Sequence, residues 1–453
     1  MGVDAADFWA QYDHMYIPEL GHNVSVTDYA HTLYIRASWT DFNPQEDVYG
    51  WKIDSNLRAY IEGAYQRNMR LAFRVVVDSR DKRTEFTPQF VKDAGAKGFM
   101  NKGKWSPYSD DPVFQKYYTK FVKALAKDFN DPSKVEFIDG FGLGKWGEYH
   151  TMIYSTGDDT PKKAVFNWVT DIYSQAFDKV PVVINYHRWI GAGKDWVDDE
   201  HFAADSEEML EEAIKKGYSL RHDAFGMTTY YGSWERRFAE KYRNICPIIM
   251  EGGWIVKSHN YWQDPRGYRK DSHEDVRRGE FDDSKEAHVN MMDFRFGDTK
   301  SWFKDAFDLV RRFLREGGYR LYPSEISLPL EVSKKTPPTI KHCWNNLGWG
   351  YCPTNIPQWN QKYKVAFALL DSETNEVRYT FVDMDTDLSK WIKGSPAEYV
   401  FEPDMSKVET GTYVWAVGLV DRSNKDLVGL DIAAKGDILD SGWLKLSKVS
   451  IKK

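Results

Sequence analysis

Cysteine is scarce. The 453-residue chain holds three, Cys246, Cys343 and Cys352. No pair of them has metal-site spacing with a neighbouring histidine, so zinc is not expected, and no other metal or cofactor is implied. Cys343 and Cys352 flank a Gly/Asn-rich turn, where either a local disulfide or two free thiols would fit. Long apolar runs are also lacking: no segment reaches the roughly 20 apolar residues that membrane crossing requires, so no membrane span is expected. Positive charge is not in excess either. With 61 Lys+Arg against 68 Asp+Glu and a net charge of -7, the chain is a poor general partner for nucleic acid. It opens Met1-Gly-Val-Asp without the pattern of a signal peptide. That start reads like a trimmed end, and an exported protein, periplasmic or at the cell surface, is the expectation.

Aromatic residues are abundant, with 18 Trp and 27 Tyr. An indole offers a flat apolar face and one N–H donor, which suits the C–H face and hydroxyl rim of a sugar. A large aromatic core accounts for many of them. It accounts less well for Trp39, Trp146, Trp189, Trp234 and Trp254, which all fall at or just past the ends of candidate strands.

Two segments carry the chemistry. Val135 to Phe141 is an apolar, strand-like run that breaks at Gly142, Gly144 and Gly147 and delivers Glu148, flanked by Trp146, Tyr149 and His150. Pro247-Ile-Ile-Met-Glu251-Gly-Gly-Trp254 repeats the arrangement: a short apolar run, a glutamate, glycines, a tryptophan. Glycines clear bulk and admit unusual dihedrals at a strand end. A carboxylate desolvated among aromatics has its pKa raised, as a general acid requires. Two strands that each end in such a carboxylate match the paired acids of glycoside hydrolysis. For Glu148 alone, a helix-capping glutamate is the plain alternative.

Taken in order, the chain alternates. Strands are expected at 9–16, 33–39, 71–77, 135–141, 181–186, 224–230, 248–251 and 288–294. Helical spacing lies between them, for example Phe114, Tyr118, Phe121 and Leu125 behind the Asp111-Pro112 start. Eight strands separated by helices over residues 1–318 read as a (β/α)8 TIM barrel, with a doubly wound open sheet as the runner-up. After Gly317-Gly318 helical periodicity gives way to short alternating runs at 364–370, 377–382, 412–420 and 443–451. Residues 319–453 therefore read as an all-β sandwich, an accessory domain without a catalytic cluster.

A resemblance follows from these stretches. Tyr34-Ile-Arg-Ala-Ser-Trp-Thr-Asp-Phe-Asn-Pro-Gln-Glu-Asp-Val-Tyr-Gly-Trp51 resembles a segment of clan A glycoside hydrolases, especially the β-galactosidase-like members near family 42. Gly142-Leu-Gly-Lys-Trp-Gly-Glu148 is similar to a loop of barrel proteins that carry a C-terminal β-sandwich of uncharacterised function. The resemblance implies a retaining mechanism, with the acid/base after strand four and the nucleophile at the end of strand seven. Glu148 and Glu251 occupy those places. It also implies Asn before the acid/base, where this chain has Gly147.

The expected roles follow from charge and position. Glu148 is the protonated acid and then the base; Glu251 stays ionised and attacks, so carboxyls about 5–5.5 Å apart are expected. Arg36 is the candidate cation for Glu251, and Tyr230 the candidate hydrogen-bond donor to it. Trp39, Trp146, Trp254, Arg74, His150 and His187 are expected to line the carbohydrate site. Arg74, Arg188 and Lys145 add rim charge. Either Asp78, Asp41 and Asp139 balance it, or it serves an anionic sugar, a uronate or a sulfate. Two other classes stay open: a non-catalytic glycan-binding protein on such a barrel, and a barrel lyase or hydrolase using Glu148 with a metal.

Overall fold

A computed structural model of the protein describes residues 3–80, 82, 84–193, 200–225, 230–254, 273–295 and 302–453. The chain divides into two compact units. The first comprises Met1–Tyr242, Ile248–Ala287 and Met291–Leu314; the second comprises Arg243–Pro247, His288–Asn290 and Arg315–Lys453.

The first unit begins with helix α1 (Ala5–Asp13), followed by a two-stranded antiparallel hairpin, β1 (Met15–Ile17) and β2 (His22–Val24). The strand expected at 9–16 is therefore mostly helix. Asp4 caps it by accepting from Ala6 N at 2.8 Å. Phe8 packs against Tyr12, one helical turn away, with the rings tilted, and Arg67 lies 4.3 Å over the Trp9 ring. That helical pairing outweighs the β preference of the aromatics.

The rest alternates as expected: β3 (Thr32–Ser38), α2 (Trp39–Phe42), α3 (Asn56–Gln66), β4 (Arg70–Val76) and α4 (Gln89–Asp93). A hairpin of β5 (Gly98–Asn101) and β6 (Lys104–Pro107) precedes α5 (Pro112–Phe129), β7 (Val135–Asp139), α6 (Lys162–Ala176) and β8 (Val182–Asn185). Then come α7 (Glu200–Lys215), β9 (Tyr218–Asp223), α8 (Ser233–Tyr242), β10 (Ile248–Glu251), α9 (His273–Glu286), β11 (Met291–Met292), α10 (Trp302–Asp305) and α11 (Phe307–Glu316). Asp111 caps α5 at Phe114 N and Pro112 opens it, and its buried face is Phe114, Tyr118, Phe121, Val122 and Leu125.

Seven strands form one parallel sheet in the order β11-β10-β9-β8-β7-β4-β3, with helices between successive strands: an α/β barrel wall. Two expected strands shift. The one placed at 224–230 is β9, six residues earlier, and 226–229 lie outside the described residues. The last, expected at 288–294, is the two-residue β11. Glu148 thus follows the third strand of the observed sheet, and Glu251 ends the sixth.

The second unit is β-rich. It holds a three-stranded sheet, β12 (Leu321–Ser327), β14 (Ile340–Asn346) and β17 (Ala397–Phe401). Its larger sheet contains β13 (Glu331–Ser333), β15 (Tyr363–Asp371), β16 (Val377–Asp383), β18 (Gly411–Asp421), β19 (Leu427–Leu430) and β20 (Leu444–Lys452). Trp344, Trp391 and Trp415 are fully buried among residues of both sheets, as in a sandwich core. Cys343 and Cys352 are free thiols, so the disulfide alternative is not realised.

Candidate active site

Side chains on a strand alternate faces, and this alternation stacks two layers inside the barrel. The lower is apolar: Ala72, Phe137, Val183 and Ile249, with Tyr34 and Met291 against them. Two residues further along the same strands stand Arg74, Asp139, Asn185, Glu251 and Arg36, and Arg221 enters from β9. An apolar floor thus carries a charged layer toward the C-terminal ends of the strands.

Arg74 organises that layer. It is fully buried. Its Nε donates to Tyr34 Oη at 2.8 Å and to Asp139 Oδ2 at 2.9 Å, and one terminal nitrogen reaches Glu148 Oε1 at 3.0 Å. The other terminal nitrogen pairs with Glu251 Oε2. One planar guanidinium therefore spans both candidate acids, which its fixed fork allows and an ammonium would not. Arg221, also buried, bridges Glu251 Oε2 at 2.5 Å and Asp139 Oδ2 at 2.7 Å. Arg36 donates to Glu251 Oε1 at 3.0 Å. An oxygen of Glu148, one of Glu251 and one of Asp223 lie within 4.8 Å of one another.

The loop after β7 aims Glu148. Gly142 has φ +78°, and a Cβ there would stand 2.1 Å from the Val75 carbonyl oxygen, so no side chain fits. Gly147 also has φ +78°, and its Cβ would crowd Arg74 Cδ at 3.3 Å. This gives a local reason for glycine where the resemblance implies asparagine. His187 holds the same loop. Its Nδ1 accepts from Trp189 N at 3.1 Å, which leaves Nε2 to donate to the Glu148 carbonyl at 2.7 Å. Tyr230 donates to Glu148 Oε2 at 2.9 Å and accepts from Asn185 Nδ2 at 3.0 Å. His150 Nε2 lies 3.5 Å from the same carboxylate oxygen.

These contacts set the charges. Burial pushes Glu251 up, but Arg74, Arg221 and Arg36 outweigh it and hold the carboxyl below its ordinary range. Burial pushes Glu148 up as well; the His150 contact, Arg74 and Arg221 outweigh it and hold Glu148 well below. The expectation of a protonated Glu148 is corrected on this point. The aromatic surroundings desolvate the group, but the His150 contact, Arg74 and Arg221 together favour the ionised form more strongly. Asp223 goes the other way: burial, then Glu251 and Glu148, raise it well above the usual carboxylate value. Burial and then Glu251 raise Asp293 to about 6.

Other expected site residues divide. Arg36, Arg74, Tyr230 and His150 meet the two glutamates, but Tyr230 bonds Glu148 rather than Glu251. His187 is fully buried with both ring nitrogens engaged by backbone groups, so it positions the loop rather than meeting a sugar hydroxyl. Trp39 is core: fully buried, with Phe90, Phe114, Tyr118 and Phe121 around its ring. It faces the helices because it begins α2 rather than ending β3. Trp146 is half-buried beside His150, under the Lys145 ammonium, and Trp254 is 44% exposed. Trp189 is buried and stacked on Tyr230. Arg188 pairs with Glu235 at 2.9 Å, Asp78 pairs with Arg80, and Asp41 closes a capping box with Ser38. Of the three aspartates expected to absorb rim arginines, Asp139 does so.

Tyr34, Asn185, Arg221, Asp223 and Asp293 escaped the sequence reading. The signal for Arg221 and Asp223 is Tyr218-Ser-Leu-Arg-His-Asp223, a strand whose polar residues disguise it and displace the expected one downstream. Glu148, Asp223 and Glu251 are the one carboxylate trio among the described residues close enough to share a cation. Arg36, Arg74 and Arg221 already take both oxygens of Glu251, and Arg74 takes Oε1 of Glu148.

No protein-family model matches the sequence, and no curated protein does. Among solved structures, the chain is similar to endo-glycoceramidase II from Rhodococcus sp., captured as a lactosyl-enzyme intermediate. The two share 13% identity over 89% of this chain and 92% of that one, at a TM-score of 0.39. It is also similar to the exo-β-1,4-mannosidase Op5Man5 from Opitutaceae bacterium strain TAV5, at 13% identity over 69% of this chain and 51% of that one, TM-score 0.38. Pseudomonas stutzeri endoglucanase Cel5A gives 12% identity over 64% and 83%, TM-score 0.40. Likeness at this level carries no weight for the chemistry, which is read from the side chains alone.

Proposed function

We propose that the protein is a retaining glycoside hydrolase that cleaves a β-glycosidic bond in an oligo- or polysaccharide by double displacement. The observation that carries this reading is the pair Glu148 and Glu251. One carboxylate oxygen of each lies within 4.8 Å of one of the other, and both carboxylates meet one guanidinium at the C-terminal side of a parallel barrel sheet. Retaining enzymes hold their acids about 5–5.5 Å apart, whereas inverting ones leave roughly 6.5–9.5 Å for a water between them. Glu251, kept ionised by three arginines, attacks the anomeric carbon. Glu148 serves the leaving oxygen, and Tyr230 and Arg74 hold its two carboxylate oxygens in place. Trp146 and Trp254 offer faces to the sugar rings. Export to the periplasm or cell surface belongs to the same proposal.

The arginines also bear on the sugar's charge. Arg36, Arg74 and Arg221 meet Asp139, Glu148 and Glu251, and Arg188 meets Glu235. The surplus of cations that favoured a uronate or sulfate is thus absorbed internally, and neutral glycosides come first. A hydrolysis screen of neutral, uronate-bearing and sulfated β-linked oligosaccharides, with the released anomer followed by proton NMR, tests both points. Retention on a neutral substrate is expected; inversion contradicts the mechanism, and activity confined to acidic sugars restores the anionic reading. The alternative is a non-catalytic glycan-binding protein on a glycosidase-like barrel. Saturable glycan binding without hydrolysis in the same screen would support it.

A further inference from the structure

Asp139, Glu148, Glu251 and Asp223 are one carboxyl more than Arg36, Arg74 and Arg221 neutralise. Arg36, Arg74 and Arg221 are committed to Asp139, Glu148 and Glu251. Asp223, at the end of β9, is the register partner of Glu251, and one of its carboxyl oxygens lies within 4.8 Å of oxygens of both glutamates. Among the described residues no cation is paired with it, and its buried Oδ1 has no hydrogen-bond partner. The charged and titratable groups facing it are Glu251 from β10, Glu148 from the loop after β7, Tyr230 beyond β9, Arg36 from β3, Arg295 beyond β11 and its neighbour His222. Three carboxylates that close cannot all ionise, and the two with arginines keep their charge. The proton then belongs on the third.

On the glycosidase reading, we propose that Asp223 holds the proton of this carboxyl cluster and passes it to Glu148 for the acid half of the reaction. The Asp223 O–H proton moves to a Glu148 oxygen, within reach through one water. Glu148 gives it to the glycosidic oxygen as the C–O bond breaks, its electron pair staying on that oxygen, while a Glu251 oxygen bonds the anomeric carbon. In the second half, water gives a proton to Glu148 and its oxygen bonds the anomeric carbon. The ester to Glu251 breaks with its electron pair returning to the carboxylate, and the proton passes back to Asp223. Asp223 thus acts through Glu148 and is a positioning residue for the proton.

Two measurements on Asp223→Asn test this. The first needs no substrate: carboxyl NMR of 13C-aspartate-labelled protein. The wild type should show one aspartic acid still protonated at pH 7, absent from the variant. If no such signal exists, or if it survives in Asp223→Asn, the assignment is overturned. Should that variant not fold, Glu251→Gln serves: losing the neighbouring charge must move the titration to lower pH, and an unmoved titration overturns the proposal. The second measurement uses aryl β-glycosides of neutral sugars. Phenyl glycosides, which need the acid, should lose about 100-fold or more in kcat, while dinitrophenyl glycosides, which leave unaided, should change by less than about threefold. The basic limb of kcat/KM on phenyl glycosides should move to lower pH in the variant. Equal slowing of both substrate classes marks a merely structural role and overturns the proposal. A wild type inactive on every glycoside overturns the glycosidase reading instead, and the NMR result still decides where the proton sits.

Discussion

At the scale of single residues, Arg74 is the group on which most depends. Removing it leaves Asp139, Glu148 and Glu251 buried with less positive charge than they need. Arg74→Met should therefore cost about 3–5 kcal/mol in denaturant unfolding and abolish turnover. Arg74→Lys should restore neither, since a point charge cannot span both glutamates. Unchanged stability in Arg74→Met would mean that the network carries no net energy. Two tryptophans give a contrast. Trp39→Ala opens a hole in a packed aromatic core and should lose about 3–5 kcal/mol while leaving KM unchanged in whatever protein remains folded. Trp146→Ala, half-buried at the site, should shift stability by no more than about 1 kcal/mol and raise KM. The sequence placed both at strand ends and could not separate them. The distinction rests on Trp39 starting a helix, which turns its ring away from the barrel interior.

At the scale of elements, the loop after β7 is built on backbone that side chains refuse. Gly142→Ala must place a methyl against the Val75 carbonyl at a left-handed φ, and should cost about 2 kcal/mol or more with a matching loss of turnover. Retained activity and stability in that variant would show that the loop can relax without moving Glu148. This loop and β10 were legible because an apolar run followed by glycine and glutamate is a strong local signal. The parallel strands β3, β4, β7, β8 and β10 were legible for the same reason, being continuous apolar or alternating runs. Strand β9 was not, because Arg221, His222 and Asp223 make it read as a loop. The start of the chain was misread in the opposite sense. Phe8, Trp9 and Tyr12 carry β preference individually, and a shared helix face joins them. Ion-pair partners are the least legible feature, since Arg74 and Glu251 stand 177 positions apart in the chain.

At the scale of the whole molecule, stability and chemistry should respond to pH through different groups. Glu148 and Glu251 have depressed folded values, so their contribution is present above the ordinary glutamate range and is lost as acid protonates them. Asp293 is raised to about 6, so its contribution is present below the ordinary aspartate value and is lost as pH rises through 6. His288, in the second unit, is lowered to about 4 by burial and then by Arg243 and Lys393. Its contribution is present above the ordinary 6.5 and is lost as pH falls toward 4. Melting curves of His288→Phe should therefore fall less between those limits than the wild type; parallel curves would remove His288 from the account. The central claim remains that Glu251 becomes covalently bonded to sugar while Glu148 serves the leaving group. Its most direct test is to incubate the protein with dinitrophenyl fluoro-deoxy-β-glycosides of several neutral sugars, then digest it and read the peptides by mass spectrometry. The account predicts a fluoroglycosyl ester on Glu251, absent from Glu251→Gln. Hydrolysis without any trapped adduct, or an ester on Glu148 in its place, would contradict it.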